Sequence, residues 1–313
     1  MRVLVLAAPG QGAQTPGFLT PWLDLPGVHG RLETWSGPAG IDLVRYGTTA
    51  DADEIRDTAV AQPLLVAAGL VAAYALFGDD PAEAVRDRAG AVAGHSVGEL
   101  TAAVLAGVLT AEEALALVRA RGVAMAQAAA VTETGMSAVL GGDPDTVLAH
   151  LADLGLTPAN INGAGQIVAA GTAAQLAALA ADKPEKTRVM PLKVAGAFHT
   201  AHMEPAVDVL AAEVKALAPA DPRLPYVSNK DGGVVTSGQE VVDRLVGQVA
   251  NPVRWDLCME TFAGRGATAL VELLPGGTLT GLAKRAMKGT KTVALKTPDD
   301  LQAARDAIEE ARQ

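Results

Sequence analysis

The sequence predicts an α/β protein in which helices cover both faces of a parallel sheet and a small ferredoxin-like α+β unit is inserted. Short β-branched runs alternate with alanine- and leucine-rich helical segments through most of the 313 residues, which is typical of a parallel sheet between helices. Hydrophobic residues make up 50% of the chain and aromatic residues only 3%, so small side chains let the helices pack closely. Residues 126–191 follow the order β-α-β-β-α-β, which indicates a ferredoxin-like unit.

The first half of the chain supplies two strands and three helices in this prediction. Val3–Ala8 predicts the first strand, because the apolar run stops at Pro9-Gly10 without the length or cleavage pattern of a signal peptide. The stretch 63–77 falls short of the roughly 18 to 20 residues that cross a bilayer, so it predicts a buried helix. Ala91–Gly94 predicts the second strand, followed by a helix, and the capping-box pattern "TAEE" at 110–113 predicts the next helix.

The inserted unit and the end of the core follow from the remaining patterns. Within 126–191, four strands are predicted at "MSAVLG", "TPANIN", "QIVAAG" and "TRVMPLKV", and two helices at "DPDTVLAHLADLG" and "AAQLAALAADK". Two further core strands are predicted at 226–228 and 269–273. The expected organisation is a core of residues 1–125 and 192–313 and a ferredoxin-like subdomain of residues 126–191.

Charge and cysteine content exclude several classes of function. The net charge is −10, so a nucleic-acid backbone would be repelled and no nucleic acid is expected as a partner. The single cysteine, Cys258, excludes an internal disulfide and fits a reducing cytosol. With no predicted membrane-spanning segment, the expected location is cytoplasmic and no membrane partner is expected.

The segment "GHSVG" at 94–98 places Ser96 between a predicted strand and a predicted helix. This strand-turn-helix context is the one that a nucleophile elbow requires, and the tight turn needs small residues at 94 and 98. A serine hydroxyl is a poor nucleophile at neutral pH and needs a base within hydrogen-bond reach. The sequence therefore predicts that Ser96 is a nucleophile with a histidine base, and the alternative is a plain turn serine.

The chain has five histidines: His29, His95, His150, His199 and His202. His29 and His150 lie in segments predicted to be at the surface. His95 is adjacent to the serine, so on a turn it points away and is expected to support the elbow structurally. His199 and His202 remain as candidate bases. They could in principle form a metal-binding pair instead, but no carboxylate or cysteine lies at metal-ligand spacing around them.

Six motifs in fixed order resemble a known family. They are "PGQGAQ" at 9–14, "GHSVGEL" at 94–100, "ARG" at 120–122, "GAFHT" at 196–200, "QVANPVRW" at 248–255 and "ELLPGGTLTGL" at 272–282. Together they are similar to the malonyl-CoA:acyl-carrier-protein transacylases of fatty-acid synthesis and to the related acyltransferase domains of polyketide synthases. The resemblance covers nearly the whole chain and implies an α/β-hydrolase-like core with a ferredoxin-like insertion, in agreement with the independent prediction.

Carried over residue by residue, the resemblance implies a Ser-His dyad. Ser96 would be acylated, His199 would be its base, and the backbone carbonyl of Gln248 would orient the imidazole. A neutral carbonyl suffices for this, because the third group only has to fix the tautomer and the ring orientation. The backbone N–H groups of Gln11 and Val97 would form the oxyanion hole.

Arg121 shares a predicted helix face with apolar residues, so its side chain should either snorkel to water or find an anion. The resemblance implies the second, with the guanidinium fork holding the malonyl carboxylate. It also implies that Phe198 favours malonyl over methylmalonyl by crowding the α-carbon. Asn160, Asn162 and Gln166 match positions that line the cleft from the small subdomain.

The activity implied is ping-pong transfer of the malonyl group from malonyl-CoA to the phosphopantetheine thiol of acyl carrier protein, with no metal or redox cofactor. Carrier proteins of this kind are acidic. The basic residues of "AKRAMKGTK" are therefore a candidate docking patch, and the alternative is a solvated charged face. These residues are Lys284, Arg285, Lys288 and Lys291.

Two other functions share some of these features. A serine esterase or thioesterase would use the same elbow but would gain nothing from Arg121. A non-catalytic relative that only binds carrier protein would leave Ser96 unacylated.

Overall fold

The computed structural model describes residues 3–194 and 196–312, and it confirms the predicted α/β fold class. The strands are β1 (Val3–Ala8), β2 (Ala91–Gly94), β3 (Thr134–Gly141), β4 (Thr157–Gly163), β5 (Gln166–Thr172), β6 (Thr187–Pro191), β7 (Tyr226–Val227), β8 (Val234–Val235), β9 (Val253–Arg254), β10 (Ala267–Glu272) and β11 (Lys291–Ala294). The helices are α1 (Val28–Ala39), α2 (Leu43–Thr48), α3 (Thr58–Phe77), α4 (Pro81–Arg86), α5 (Gly98–Leu105), α6 (Ala111–Ala129), α7 (Pro144–Asp153), α8 (Ala173–Ala181), α9 (Glu204–Glu213), α10 (Gly238–Gln248), α11 (Trp255–Gly264), α12 (Thr278–Ala286) and α13 (Leu301–Arg312).

The core sheet has six strands in the order β11-β10-β1-β2-β7-β8. All its pairs are parallel except β7 with β8. Successive side chains of β1 enter two different hydrophobic clusters, Leu4 and Leu6 in one and Val5 and Ala7 in the other. Because successive strand side chains point to opposite faces, the two clusters lie on the two sides of the sheet. Both faces are therefore covered, as a parallel sheet requires.

The predicted core strands agree with the structure to within two residues. Strands β1 and β2 have the predicted bounds, β7 ends one residue before 228, and β10 covers Ala267–Glu272 rather than 269–273. The edge strands β8, of two residues, and β11, of four residues, were not predicted.

Helix α3 corrects one step of the sequence reasoning. It has 20 residues, Thr58–Phe77, because it begins five residues before the apolar stretch at 63–77, with the Asp57 side chain accepting from Ala59 N–H. By length and composition this helix could cross a membrane, so the argument from a short apolar run was wrong. Its most apolar window is 89% buried inside the molecule, so the apolar surface serves the core.

The small sheet has the order β6-β3-β5-β4-β9. Residues 134–191 form the predicted β-α-β-β-α-β unit, with β3 antiparallel to both β5 and β6. The fifth strand, β9, comes from the core segment and pairs with β4 in parallel, which the sequence did not indicate. The subdomain bounds stay a prediction, and α6 runs across the first of them. Residues 1, 2, 195 and 313 of the predicted ranges lie outside the described residues.

The carboxyl ends of the parallel core strands gather the polar residues that form the candidate site. Gln11 follows β1, Ser96 follows β2 and Asn229 follows β7, and these three strands are neighbours. In open parallel sheets, ligands bind outside the carboxyl ends of the strands. The fold therefore brings segments far apart in sequence to one edge of the core sheet.

Candidate active site

Ser96 lies on a sharp turn between β2 and α5 with a φ of 53°, which is strained for a residue with a side chain. A Cβ on Gly94 would lie 1.9 Å from the carbonyl carbon of Gly98, and one on Gly98 would lie 2.3 Å from the carbonyl oxygen of Ala8. Neither position can hold a larger residue without a shift of the backbone. The turn therefore has the geometry of a nucleophile elbow.

The imidazole of His199 reaches this serine. Ser96 Oγ lies 2.7 Å from His199 Nε2, and His199 Nδ1 lies 2.8 Å from the backbone oxygen of Gln248. A carbonyl oxygen only accepts, so Nδ1 donates to it, which leaves Nε2 free to accept the proton of the serine hydroxyl. These contacts have the order of a hydroxyl, a base and an orienting carbonyl.

The structure fixes both the orientation and the protonation state of His199. Its backbone has a φ of 62°, its N–H donates to Val249 O at 3.0 Å, and it is 3% exposed. Burial, and after it the nearby Arg121 cation, lower the pKa of His199 to about 3. The ring is therefore neutral at physiological pH, which is the state that can accept a proton.

The other candidate histidines are placed elsewhere. His202 lies in a short turn after His199, where its N–H donates to Thr200 Oγ1. His95 Nε2 lies 2.8 Å from Asn162 Oδ1, and its ring packs against Trp255. Burial lowers the pKa of His95. Its contacts link the elbow to β4 of the small subdomain, as expected for a structural support.

The guanidinium of Arg121 is buried beside the serine, with the residue 3% exposed. Nη1 donates to Gln62 Oε1 at 2.5 Å, and Nη2 donates to Gln248 Oε1 at 2.7 Å and to Ser96 Oγ at 3.4 Å. Burial lowers the pKa of Arg121 to about 10, so it stays charged at neutral pH. Snorkelling is therefore wrong for this side chain. Within 3–194 and 196–312 no carboxylate forms an ion pair with it, so a buried cation faces the nucleophile.

Three polar residues of the site were missed by the sequence reasoning. Gln62 interrupts the apolar run of α3, Glu99 follows the elbow glycine, and Asn229 follows β7. Asn229 Oδ1 accepts from Ser96 N–H at 2.7 Å, and its Nδ2 donates to Gly94 O at 2.7 Å. A polar residue in an apolar helix, or directly after a core strand, is the signal that could have found the first and the third.

The loop after β1 lies against the elbow. A Cβ on Gly10 would lie 2.9 Å from His95 O, and Gly12 has a φ of 101° that favours glycine. Among the residues that the structure describes, the backbone N–H groups of Gln11 and Val97 have no acceptor. Unpaired donors beside a nucleophile are what an oxyanion hole needs.

Of the four predicted pocket residues, only Asn162 has a hydrogen bond to another residue of the site among those that the structure describes. Phe198 is buried in the main hydrophobic cluster directly before His199. Asn162 joins the site through its hydrogen bond to His95. The Oδ1 atom of Asn160 is buried with no hydrogen-bond partner in the described part of the chain. Gln166 begins β5 opposite Gly163 in the strand register.

The basic run lies at the end of α12 and just beyond it. Lys284, Arg285, Lys288 and Lys291 are all exposed. Lys291 Nζ lies 2.9 Å from the carboxylate of Glu310.

A comparison with protein families matches residues 8–304 to the family described as acyl transferase domain. A protein of Mycobacterium tuberculosis named malonyl CoA-acyl carrier protein transacylase is 52% identical over 305 residues, which are 96% of this chain and 98% of that protein.

Solved structures agree with the sequence match. The crystal structure of MCAT from Mycobacterium tuberculosis superposes with a TM-score of 0.92 at 51% identity, covering 97% of this chain and 100% of that one. A structure of a malonyl-transacylase in complex with the acyl-carrier protein of a type II PKS superposes with a TM-score of 0.86 at 29% identity, covering 97% and 99%.

Proposed function

We propose that this chain, which belongs to the acyl transferase family, transfers the malonyl group from malonyl-CoA to acyl carrier protein, as the name of its relatives indicates. Ser96 carries the malonyl group as an ester, and His199 transfers the proton. The observation that supports this assignment best is the buried guanidinium of Arg121, 3.4 Å from the serine hydroxyl. A hydrolase of simple esters has no use for a buried cation at that place, whereas malonyl transfer has.

In the first half-reaction, His199 Nε2 takes the hydroxyl proton while Ser96 Oγ attacks the thioester carbonyl of malonyl-CoA. The carbonyl oxygen becomes an oxyanion and receives hydrogen bonds from the N–H groups of Gln11 and Val97. The intermediate collapses with cleavage of the carbon–sulfur bond, and CoA leaves as a thiol with the proton from the imidazole. The serine then carries the malonyl group as an ester.

In the second half-reaction, the phosphopantetheine thiol of acyl carrier protein gives its proton to His199 and attacks the same carbonyl carbon. The ester bond breaks, Ser96 Oγ recovers the proton, and malonyl-carrier protein leaves. The backbone carbonyl of Gln248 keeps His199 Nδ1 protonated throughout, so only His199 Nε2 exchanges the proton. The two half-reactions balance without a metal or redox cofactor.

Arg121 selects the acyl group in this proposal. A bidentate pair with the malonyl carboxylate contributes roughly 1.5–3 kcal/mol for each charge-assisted hydrogen bond. An acetyl group offers no anion and leaves the buried charge unpaired. Phe198, which is buried before His199, would limit substituents at the α-carbon, and Asn160, Asn162 and Gln166 would line the cleft from the small subdomain.

The docking patch for acyl carrier protein is proposed at the exposed cations Lys284, Arg285, Lys288 and Lys291. Attraction between this patch and an acidic carrier protein would speed encounter despite the negative net charge of the chain. We place the enzyme in the cytoplasm, in keeping with its one buried free thiol, Cys258.

Intact-mass measurement tests the assignment. The chain incubated with malonyl-CoA should gain one malonyl group at Ser96 and lose it again when acyl carrier protein is added. Ser96→Ala and His199→Ala should gain none within the same time, while the neighbouring control His202→Ala should be acylated like the wild type. An unacylated wild-type chain would favour a non-catalytic carrier-protein binder, and hydrolysis of simple esters at rates comparable to transfer would favour an esterase.

A further inference from the structure

Glu99 takes no part in the proposed reaction, yet it lies among the hydrogen bonds of the site. The residue is 1% exposed. Its Oε1 accepts from Asn229 N–H at 2.6 Å, and its Oε2 accepts from Gln248 Nε2 at 2.5 Å. Burial raises the pKa of Glu99 to about 8, while the hydrogen bonds from Asn229 and Gln248 and the charge of Arg121 favour its ionised form. Above that pH the group is a carboxylate. What the carboxylate supplies there is two acceptors, one for each of these donors.

The side-chain amide of Gln248 stands between Glu99 and Arg121, and these neighbours permit only one orientation of it. A guanidinium only donates hydrogen bonds and a backbone carbonyl only accepts them, whatever the protonation state of Glu99. The NH₂ group must therefore face Glu99, and the carbonyl oxygen must face Arg121, whose Nη2 lies 2.7 Å away. The same NH₂ group lies 3.1 Å from the backbone oxygen of Ser96.

Glu99 is thus linked to the reacting groups by two bridging residues, Gln248 and Asn229. Through Gln248 it is connected to the cation that faces Ser96. Through Asn229, whose Oδ1 accepts from Ser96 N–H, it is connected to the backbone of the nucleophile.

We propose that Glu99 is a positioning residue that aims the Arg121 guanidinium at the substrate carboxylate by fixing the side-chain amide of Gln248. This inference rests on the proposed function and deepens its account of selectivity. Glu99 touches neither the acyl group nor the reacting atoms. Its effect reaches the substrate through the direction in which Gln248 presents its oxygen.

Glu99→Gln, assayed above pH 8, tests the proposal because an amide has one acceptor oxygen where the ionised carboxylate has two. The Asn229 N–H is fixed in the backbone, whereas the Gln248 amide can rotate, so the oxygen of the new amide serves Asn229. The new NH₂ group then faces Gln248 and turns its amide, so that two donors meet at Arg121. The kcat/KM ratio of malonyl-CoA to acetyl-CoA should fall by about 10- to 100-fold, the effect of losing one charge-assisted hydrogen bond. The fall should come mainly from the KM for malonyl-CoA. Mere loss of folded enzyme would lower both activities equally.

Gln248→Ala removes the side-chain amide that links Glu99 to Arg121 but keeps the backbone carbonyl that orients His199. It should lower the same ratio, and adding Glu99→Gln to it should cause no further fall. Glu112→Gln, an exposed acid on α6, is the matched control and should leave the ratio unchanged.

An unchanged ratio in a folded Glu99→Gln variant, or a full additional fall in the double variant, would overturn the proposal. If Glu99→Gln does not fold, Gln248→Ala decides alone, since an unchanged ratio in that variant would show that the Gln248 side chain does not position Arg121. Failure of the proposed function is a separate result, because the wild-type chain would then not be acylated by malonyl-CoA at Ser96.

Discussion

Arg121→Ala should turn a site that selects a carboxylate into one that is nearly indifferent to it. Three N–H donors of the guanidinium already have acceptors, in Gln62, Gln248 and Ser96. A guanidinium has five N–H donors, but both Nη2 donors have partners here, so a carboxylate bound by the fork must displace the long 3.4 Å contact to Ser96 Oγ. Two charge-assisted hydrogen bonds contribute about 3–6 kcal/mol together, which corresponds to about 10²- to 10⁴-fold in the malonyl-to-acetyl ratio.

The measurement is kcat/KM for malonyl-CoA and for acetyl-CoA with one carrier protein, in the wild type and the variant. Arg121→Lys should give an intermediate ratio, since it keeps the charge and loses the fork. Arg119→Ala, an exposed arginine two residues away on the same helix, controls for general effects on α6. A ratio in Arg121→Ala equal to that of the wild type would refute the assignment, even if both rates had fallen.

The remaining predictions concern pH, the elbow and docking. In Arg121→Ala the pKa of His199 should rise, because the lost cation disfavoured the imidazolium; the acid limb of the acetyl-transfer pH profile should therefore move to higher pH, and a limb that stays in place would contradict this. Gly94→Ala should lower the free energy of unfolding by about 1–3 kcal/mol and abolish acylation, since its Cβ would lie 1.9 Å from a backbone carbon; denaturant titration and intact mass check both, and a stable, active variant would count against the elbow. Replacing Lys284 and Arg285 by glutamate should raise KM for acyl carrier protein and leave KM for malonyl-CoA unchanged; equal effects on both would remove the docking patch.

The parts of the fold and site that the sequence predicts are those with a local cause. The β-α-β-β-α-β order of the small unit is set by the alternation of short apolar runs and helical segments. The elbow is set by glycine at 94 and 98, where the structure has no room for a Cβ. The capping box at Thr110 and Glu113 is present as predicted, because it depends on two residues three apart.

The parts that it misses have a non-local cause. Strand β9 exists because the core segment returns beside β4, about ninety residues away in the chain. The bond between Asn229 and Ser96 spans 133 residues. Gln62 is unusual as a polar residue in an apolar helix and Glu99 is not, but no pattern of spacing along the chain places either of them against Arg121 or Gln248.

The two charges that control the proposed reaction act on each other. In the site as it stands, the Arg121 cation helps to keep the His199 imidazole neutral. The tetrahedral intermediate needs the opposite state, because His199 then carries the proton from the serine. A malonyl carboxylate paired with the guanidinium offsets its positive charge, so the imidazolium becomes less costly when the correct acyl group is bound. An acetyl group provides no such offset, and selectivity therefore acts on the transition state as well as on binding.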